Sequence, residues 1–241
     1  MKRVLIPVVL ILGIAFVLWT MRQRSIGMNE PAETETEAEA NAEEGKELEE
    51  ELDFSFAVHH KGASPDIIDF VNAILSQEEI GEALGEMEEN WKMYLSGQTL
   101  PKGRSFAVDK KEGYMRYDVL FPAEEDGTRY SGHTEFKVLD CSDAKKKLVT
   151  QNIVELRNGK PFEGQYSGLT FYLYDGDTER MEFEYASNLI DDSYRPEKAL
   201  VVVHKLPRKG ETIECTCHMK SGETEMLYLT WNGRKFDISD N

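Results

Sequence analysis

Residues 227–236 have the sequence LYLTWNGRKF, and this stretch decides the fold class. Its apolar residues Leu227, Leu229 and Trp231 recur at every second position, which is the period of a β-strand with one buried face. The Asn-Gly pair that follows Trp231 supplies the positive backbone φ of a tight hairpin turn. Because Phe236 then resumes the apolar pattern, the stretch predicts two adjacent antiparallel strands.

Similar segments lie upstream. Apolar alternation occurs in residues 115–121 and 181–185, while residues 200–206 (LVVVHKL) are apolar on both faces except at His204 and Lys205, which predicts a central strand. At this spacing of segments and turns we expect about nine or ten strands, in a curved antiparallel meander or a sandwich. The turns that contain Gly are Lys111-Glu112-Gly113, Asp126-Gly127, Asn158-Gly159, Asp175-Gly176 and Ser221-Gly222.

Two helix starts precede the strands. Ser64-Pro65-Asp66 offers an N-cap, a Pro at the first helical position and an acid in the first turn. Ser76-Gln77-Glu78-Glu79 has the pattern of a capping box. The fold class predicted for residues 54–241 is therefore α+β, with an N-terminal helix pair packed on the sheet. One domain is favoured, and a division at the loop 187–198 is the alternative.

The first 28 residues indicate the location of the protein. Residues 4–19 carry no charged or strongly polar side chain, and the run extends to position 21. A bilayer core of roughly 30 Å needs about 20 mainly apolar residues. We therefore expect a single transmembrane helix over about 4–21, within a signal anchor of residues 1–28 that has its N-terminus in the cytoplasm. A cleaved signal peptide is the alternative, although the apolar run continues past the small residues at 13–15.

The acidic residues of the chain are concentrated after this segment. Residues 29–53 carry twelve acidic side chains and one basic side chain, Lys46. Because like charges repel and no apolar stripe is present, we expect an extended, disordered acidic linker. The formal charge of the whole chain is −17. This charge argues against nucleic acid as a partner, since an acidic surface repels the phosphate backbone.

The candidate metal ligands form two groups. Alternate acidic residues on either side of Gly176 suggest hard oxygen ligands for Ca²⁺, with an acidic turn as the alternative. The pair of thiols in the Cys-Thr-Cys-His segment suggests a zinc site completed by a third Cys, with inert core thiols or one disulfide as the alternatives. We predict no bound metal or other cofactor. The weak candidates are Asp175, Asp177, Glu179, Cys215, Cys217 and Cys141.

Candidates for catalysis and for binding are also few. His133 and Glu135 share one face of a predicted strand, as a general-base pair would, and Ser131 precedes a Gly, but no G-x-S-x-G motif is present. Tyr172 and Tyr174 lie on the strand face opposite three apolar residues. That face is either a binding surface for a peptide or glycan, or it is buried under a second layer, which is the favoured interpretation.

The function predicted from these features is a membrane-tethered, extracytoplasmic binding module of the cell envelope, because the anchor and linker are clear and no catalytic motif is found. The expected contacts are the membrane, through the N-terminal helix, and an envelope protein or glycan. An envelope hydrolase or metal-dependent enzyme using Asp175, Asp177 or His133 is the first alternative. A small-ligand carrier with a pocket between helices and sheet is the second.

Overall fold

A computed structural model describes residues 55–77, 80, 84–162, 167–191, 194 and 199–240. The predicted transmembrane helix, the acidic linker and the capping-box residues Glu78 and Glu79 lie outside these ranges. Within the described ranges, every helix is too short or too polar to cross a bilayer. The described residues are mostly β-structure, in two antiparallel sheets accompanied by few helices.

Three helices are described, and the first begins two residues later than the sequence suggests. They are α1 (Ile67–Leu75), α2 (Gly85–Leu95) and α3 (Ala186–Leu189). The N-cap of α1 is Asp66 rather than Ser64, because the Asp66 carboxylate accepts the amides of Ile68 and Asp69. The Asp69 carboxylate in turn accepts the amide of Asp66, which completes a capping box.

The larger sheet has seven strands. Its order is β1-β7-β6-β5-β4-β3-β2, and every neighbouring pair is antiparallel. Apart from the two-residue β1, the strands follow one another as the hairpin pattern predicts. Their bounds are β1 (Phe56–Ala57), β2 (Arg104–Asp109), β3 (Tyr114–Leu120), β4 (Tyr130–Asp140), β5 (Lys146–Arg157), β6 (Ser167–Asp175) and β7 (Arg180–Glu184).

The smaller sheet has four strands in the order β11-β10-β9-β8. The predicted hairpin is confirmed, since Trp231 pairs with Phe236 across the turn. The prediction of a central strand at 200–206 is wrong, because β8 lies at the edge of this sheet. Its apolar residues reflect partial burial rather than a central position, since Leu200 is 38% exposed and Val202 is half-buried. The bounds are β8 (Ala199–Lys205), β9 (Thr212–Met219), β10 (Thr224–Trp231) and β11 (Phe236–Asp240).

The seven-stranded sheet has a core on each of its faces. On one face α1 and α2 pack on the strands, and Trp91 of α2 donates a hydrogen bond to Asn72 of α1 over 2.7 Å. On the other face the four-stranded sheet forms a second core through β8, which contacts β5 and β6. Residues in the helix-side core include Phe70, Ile74, Trp91, Met115, Phe136 and Val149. Residues in the core between the sheets include Leu139, Leu148, Phe171, Leu206, Ile213 and Leu229.

The four-stranded sheet covers only part of the face on which it packs. Leu139 and Leu148 lie in the covered part, in the core between the sheets. Leu120, Ser131 and Leu156 lie toward the other ends of β3, β4 and β5, and they line an open cleft. The seven-stranded sheet is therefore closed on its helix side and half open on the other side.

Candidate functional site

A buried carboxylate on β4 lies at the centre of the polar contacts between the two sheets. Glu135 is 1% exposed. Its Oε1 accepts hydrogen bonds from the Tyr114 hydroxyl over 2.7 Å and from the Arg116 guanidinium over 3.4 Å. Its Oε2 accepts from the Asn152 side-chain amide over 2.9 Å and from the backbone amide of Leu206 over 3.1 Å. These four donors offset the cost of burying the carboxylate, and the Leu206 amide links it to the smaller sheet.

Arg116 connects this carboxylate to the surface. Its Nε and one terminal nitrogen donate to Oδ1 of Asp118, over 2.9 Å and 2.7 Å. Partial burial alone would lower the pKa of Arg116, but the hydrogen bonds and charges of Asp118 and Glu135 outweigh it and raise the pKa. One guanidinium is thus balanced by two carboxylates, of which one is buried and one is partly exposed.

His133 is the titratable group beside them. It pairs directly with Asp118 in the register of β3 and β4, and its Nε2 lies 3.9 Å from Oε2 of Glu135. Burial and the positive charge of Arg116 lower the pKa of His133, against the opposing effect of Glu135 and Asp118. Because the pKa is below that of an ordinary histidine, the ring is neutral at pH 7.

These side chains face the open cleft on the uncovered half of the sheet. The cleft has a volume of about 440 Å³, which is within the range of roughly 300–1,000 Å³ that is typical of small-ligand sites. We call it the β4 cleft. Polar and apolar side chains line it together, among them Arg116, Asp118, Leu120, Ser131, His133 and Leu156.

The β4 cleft holds Ser131 and His133 apart along one strand. Ser131 and His133 are two residues apart on one strand, which separates their Cα atoms by roughly 6.6 Å. Within β4, all of which is described, no hydrogen bond joins the Ser131 hydroxyl to the His133 ring. The predicted pair of His133 and Glu135 does lie close together, but Glu135 is buried under the second sheet instead of on a solvated strand face.

The cysteine candidates lie in or next to the core between the sheets. Cys215 and Cys217 are fully buried, Cys141 is partly buried, and all three thiols are free. Burial raises the pKa of Cys215 to about 12 and also raises the pKa of Cys217 and of Cys141. Among the residues that the structure describes, no group of three or more His, Cys, Asp or Glu side chains is placed to hold a metal ion.

The acidic candidates lie at the turn between β6 and β7, and each contacts a basic group of the protein. Asp177 pairs with Lys145 over 2.6 Å, Asp175 with Lys146 over 3.6 Å, and Glu179 with His60 over 3.6 Å. Oδ1 of Asp175 also accepts the Asp177 backbone amide over 2.8 Å. The turn therefore disperses these carboxylates among separate partners, which is the geometry of an acidic turn.

The tyrosine candidates are buried rather than exposed. Tyr172 and Tyr174 are each 4% exposed and belong to the core beneath the helices. The Tyr172 hydroxyl donates to Gln151 over 3.1 Å, and the Tyr174 ring packs edge-on against Phe70 of α1 at 5.2 Å. This strand face is therefore not open to a peptide or glycan, because the helices cover it.

The charged pair Arg116 and Asp118 is among the residues of the β4 cleft that sequence reasoning missed. Both look like the solvated side of an amphipathic strand in residues 115–121. A signal was present, since an Arg two residues from an Asp shares a strand face with it and can pair with it. The position of Glu135 on the neighbouring strand requires the register of β3 and β4, which the sequence alone does not give.

The chain was compared with protein-family models, with curated proteins and with solved structures, and none of them matches it.

Proposed function

We propose that this protein is a membrane-tethered binding module of the cell envelope, whose binding site is the β4 cleft. In this proposal the N-terminal apolar segment remains in the membrane, and the acidic linker holds the β-rich domain at a distance from the extracytoplasmic surface. The bound partner is another component of the envelope.

One observation carries the choice of site. The seven-stranded sheet is covered by helices on one face, while the four-stranded sheet leaves the β4 cleft open on the other. The cleft combines partly exposed charged groups with the apolar residue Leu120, which is 51% exposed. Concave sites with a few converging polar groups beside apolar contacts are where proteins bind ligands.

Site-specific photocrosslinking in intact cells tests this proposal. A photoreactive amino acid replaces Ser131 in the cleft or, as the control, Glu89, which is exposed on α2 on the other side of the sheet. We expect a discrete crosslinked product from position 131 and none from position 89. Equal products from both positions, or no product from position 131, would contradict the proposal.

A hydrolase is the competing proposal, because Ser131, His133 and Glu135 share one face of β4. Turnover of an ester or peptide substrate that is abolished by both Ser131→Ala and His133→Gln would favour the hydrolase over the binding module. The separation of Ser131 and His133 along the strand predicts that neither substitution affects any residual hydrolysis.

A further inference from the structure

The charges around the β4 cleft indicate the chemistry of what it binds. Arg116 contributes one positive charge, while Asp118 and Glu135 contribute two negative charges in contact with it. Arg104, the other cationic residue at the cleft, is paired with Glu86 of α2. With His133 neutral, the contact group of Arg116, Asp118 and Glu135 carries one excess negative charge.

The hydrogen-bonding groups in the cleft agree with this charge. Three nitrogens of the Arg116 guanidinium already donate to carboxylates, which reduces its capacity to hold an anion. Both of the hydrogen bonds that Asp118 accepts from Arg116 go to Oδ1, and no described residue donates to Oδ2. Because the Asp118 side chain is 44% exposed, its Oδ2 remains as an acceptor for a charged donor.

The apolar part of the cleft favours a cation on an aliphatic chain. Leu120 and Leu156 line the cleft beside Asp118, and Leu120 is exposed. Lysine and arginine side chains place their methylene stems on apolar surfaces and extend the charged group to a polar partner. A hydrated metal ion or a small anion makes no use of such apolar contacts.

We infer that the β4 cleft binds a lysine or arginine side chain of a partner protein, with Asp118 as the acceptor of its charged group and Leu120 as a contact for its stem. This inference rests on the proposed function and specifies its ligand. It commits to a basic partner segment, in agreement with the excess negative charge of the group Arg116, Asp118 and Glu135, because complementary charge gives specificity and speeds association.

The test uses the full chain in uncharged detergent micelles at 0.15 M salt. Ligand-observed NMR titration measures the affinity of the peptide Ala-Ala-Arg-Ala-Ala and of its counterpart with Glu in place of Arg. We expect the Arg peptide to bind more tightly than the Glu peptide. Asp118→Asn should weaken binding of the Arg peptide about tenfold or more, because a charge-assisted hydrogen bond is lost.

Matched variants distinguish the contribution of the cleft to peptide binding from the contribution of the chain's overall negative charge. Glu89→Gln removes the same charge from the other side of the sheet and should change the affinity by less than about twofold. Leu120→Ser should weaken binding roughly threefold, whereas Leu95→Ser, at an exposed position on α2, should leave it unchanged. All variants retain the acidic linker, so its contribution cancels in the comparison.

Two results would overturn the inference. One is that Asp118→Asn and Glu89→Gln change the affinity for the Arg peptide by the same amount, or that neither changes it. The other is tighter binding of the Glu peptide than of the Arg peptide. The proposed function would survive both results if position 131 still crosslinked to a partner. It would fail independently if no crosslink formed while the Arg peptide bound as expected.

Discussion

The two faces of the seven-stranded sheet differ in what they bury and in how completely they are covered. The helix-side face is closed by a continuous apolar and aromatic core, in which Phe70, Trp91 and Phe136 are almost fully buried. The opposite face contains a buried carboxylate held by four donors and ends in the open β4 cleft. Alternate side chains of a strand point to opposite faces of the sheet. One face of the same strands can therefore provide stability while the other face provides a binding site.

The largest expected effect is the loss of the buried carboxylate. Glu135→Leu leaves the Tyr114 hydroxyl and the Leu206 amide without their acceptor and deprives Arg116 of one of its two carboxylates. It also removes one of the two acceptors of the Asn152 side-chain amide. We expect the free energy of unfolding to fall by about 3–5 kcal/mol, the usual cost of breaking a buried ion pair. Urea denaturation of the full chain measures this change.

The control for this substitution is Glu182→Leu, at an exposed position on β7. It should change the free energy of unfolding by less than about 0.5 kcal/mol. If Glu135→Leu were equally tolerated, the polar network would contribute no stability, and the contrast between the two faces would be lost.

On the sheet face opposite the helices, the half covered by the smaller sheet and the uncovered half can be compared by making the same Leu→Ala change in each. Leu148→Ala removes a side chain that is 0% exposed between the sheets, whereas Leu120→Ala removes one that is 51% exposed at the cleft. We expect losses of about 2–5 kcal/mol for Leu148 and less than about 0.5 kcal/mol for Leu120. Similar losses at both positions would mean that the smaller sheet or another part of the chain covers the cleft.

The core between the sheets should also respond to pH. Burial lowers the pKa of His204 from 6.5 to about 4, and its Nε2 contacts the Tyr194 hydroxyl at 2.9 Å. The unfolded chain therefore binds this proton first, so the stability due to neutral His204 is present above pH 6.5 and is lost as the pH falls toward 4. Between pH 7 and pH 5 the expected loss is about 2 kcal/mol.

Denaturation curves of the wild type and His204→Leu at pH 7 and pH 5 check this prediction. The wild type should lose about 2 kcal/mol more than the variant on acidification. An identical pH dependence in the two proteins would show that His204 does not titrate in a buried environment.

The sequence predicts the β-rich class because each hairpin carries its own local signal. Alternation up to Trp231 and the Asn-Gly turn after it suffice for the β10–β11 pair. The sequence does not predict the edge position of β8, because an apolar strand is equally consistent with the centre of a sheet and with an edge packed on another layer. The strand count of about nine or ten also falls short of the eleven that are described, since the two-residue β1 leaves almost no pattern.

The candidate site was less predictable than the fold. His133 and Glu135 could be paired from their spacing on one strand, but Asp118 and Arg116 join them only through the register of β3 and β4. The Glu135 carboxylate accepts the backbone amide of Leu206, which lies 71 residues away and directly follows β8 of the other sheet. Such contacts between distant segments leave no local trace in composition or periodicity.

The most direct test of the account is thiol labelling of intact cells with a membrane-impermeant maleimide. Single cysteines replace Ser131 in the cleft or Glu89 on α2, in a Cys141→Ser background in which Cys215 and Cys217 are buried. We expect both positions to be labelled without lysis, and only position 131 to be labelled more slowly in cells than in the purified protein, because a partner covers it. Labelling that requires lysis, or an unchanged rate at position 131, would contradict this expectation.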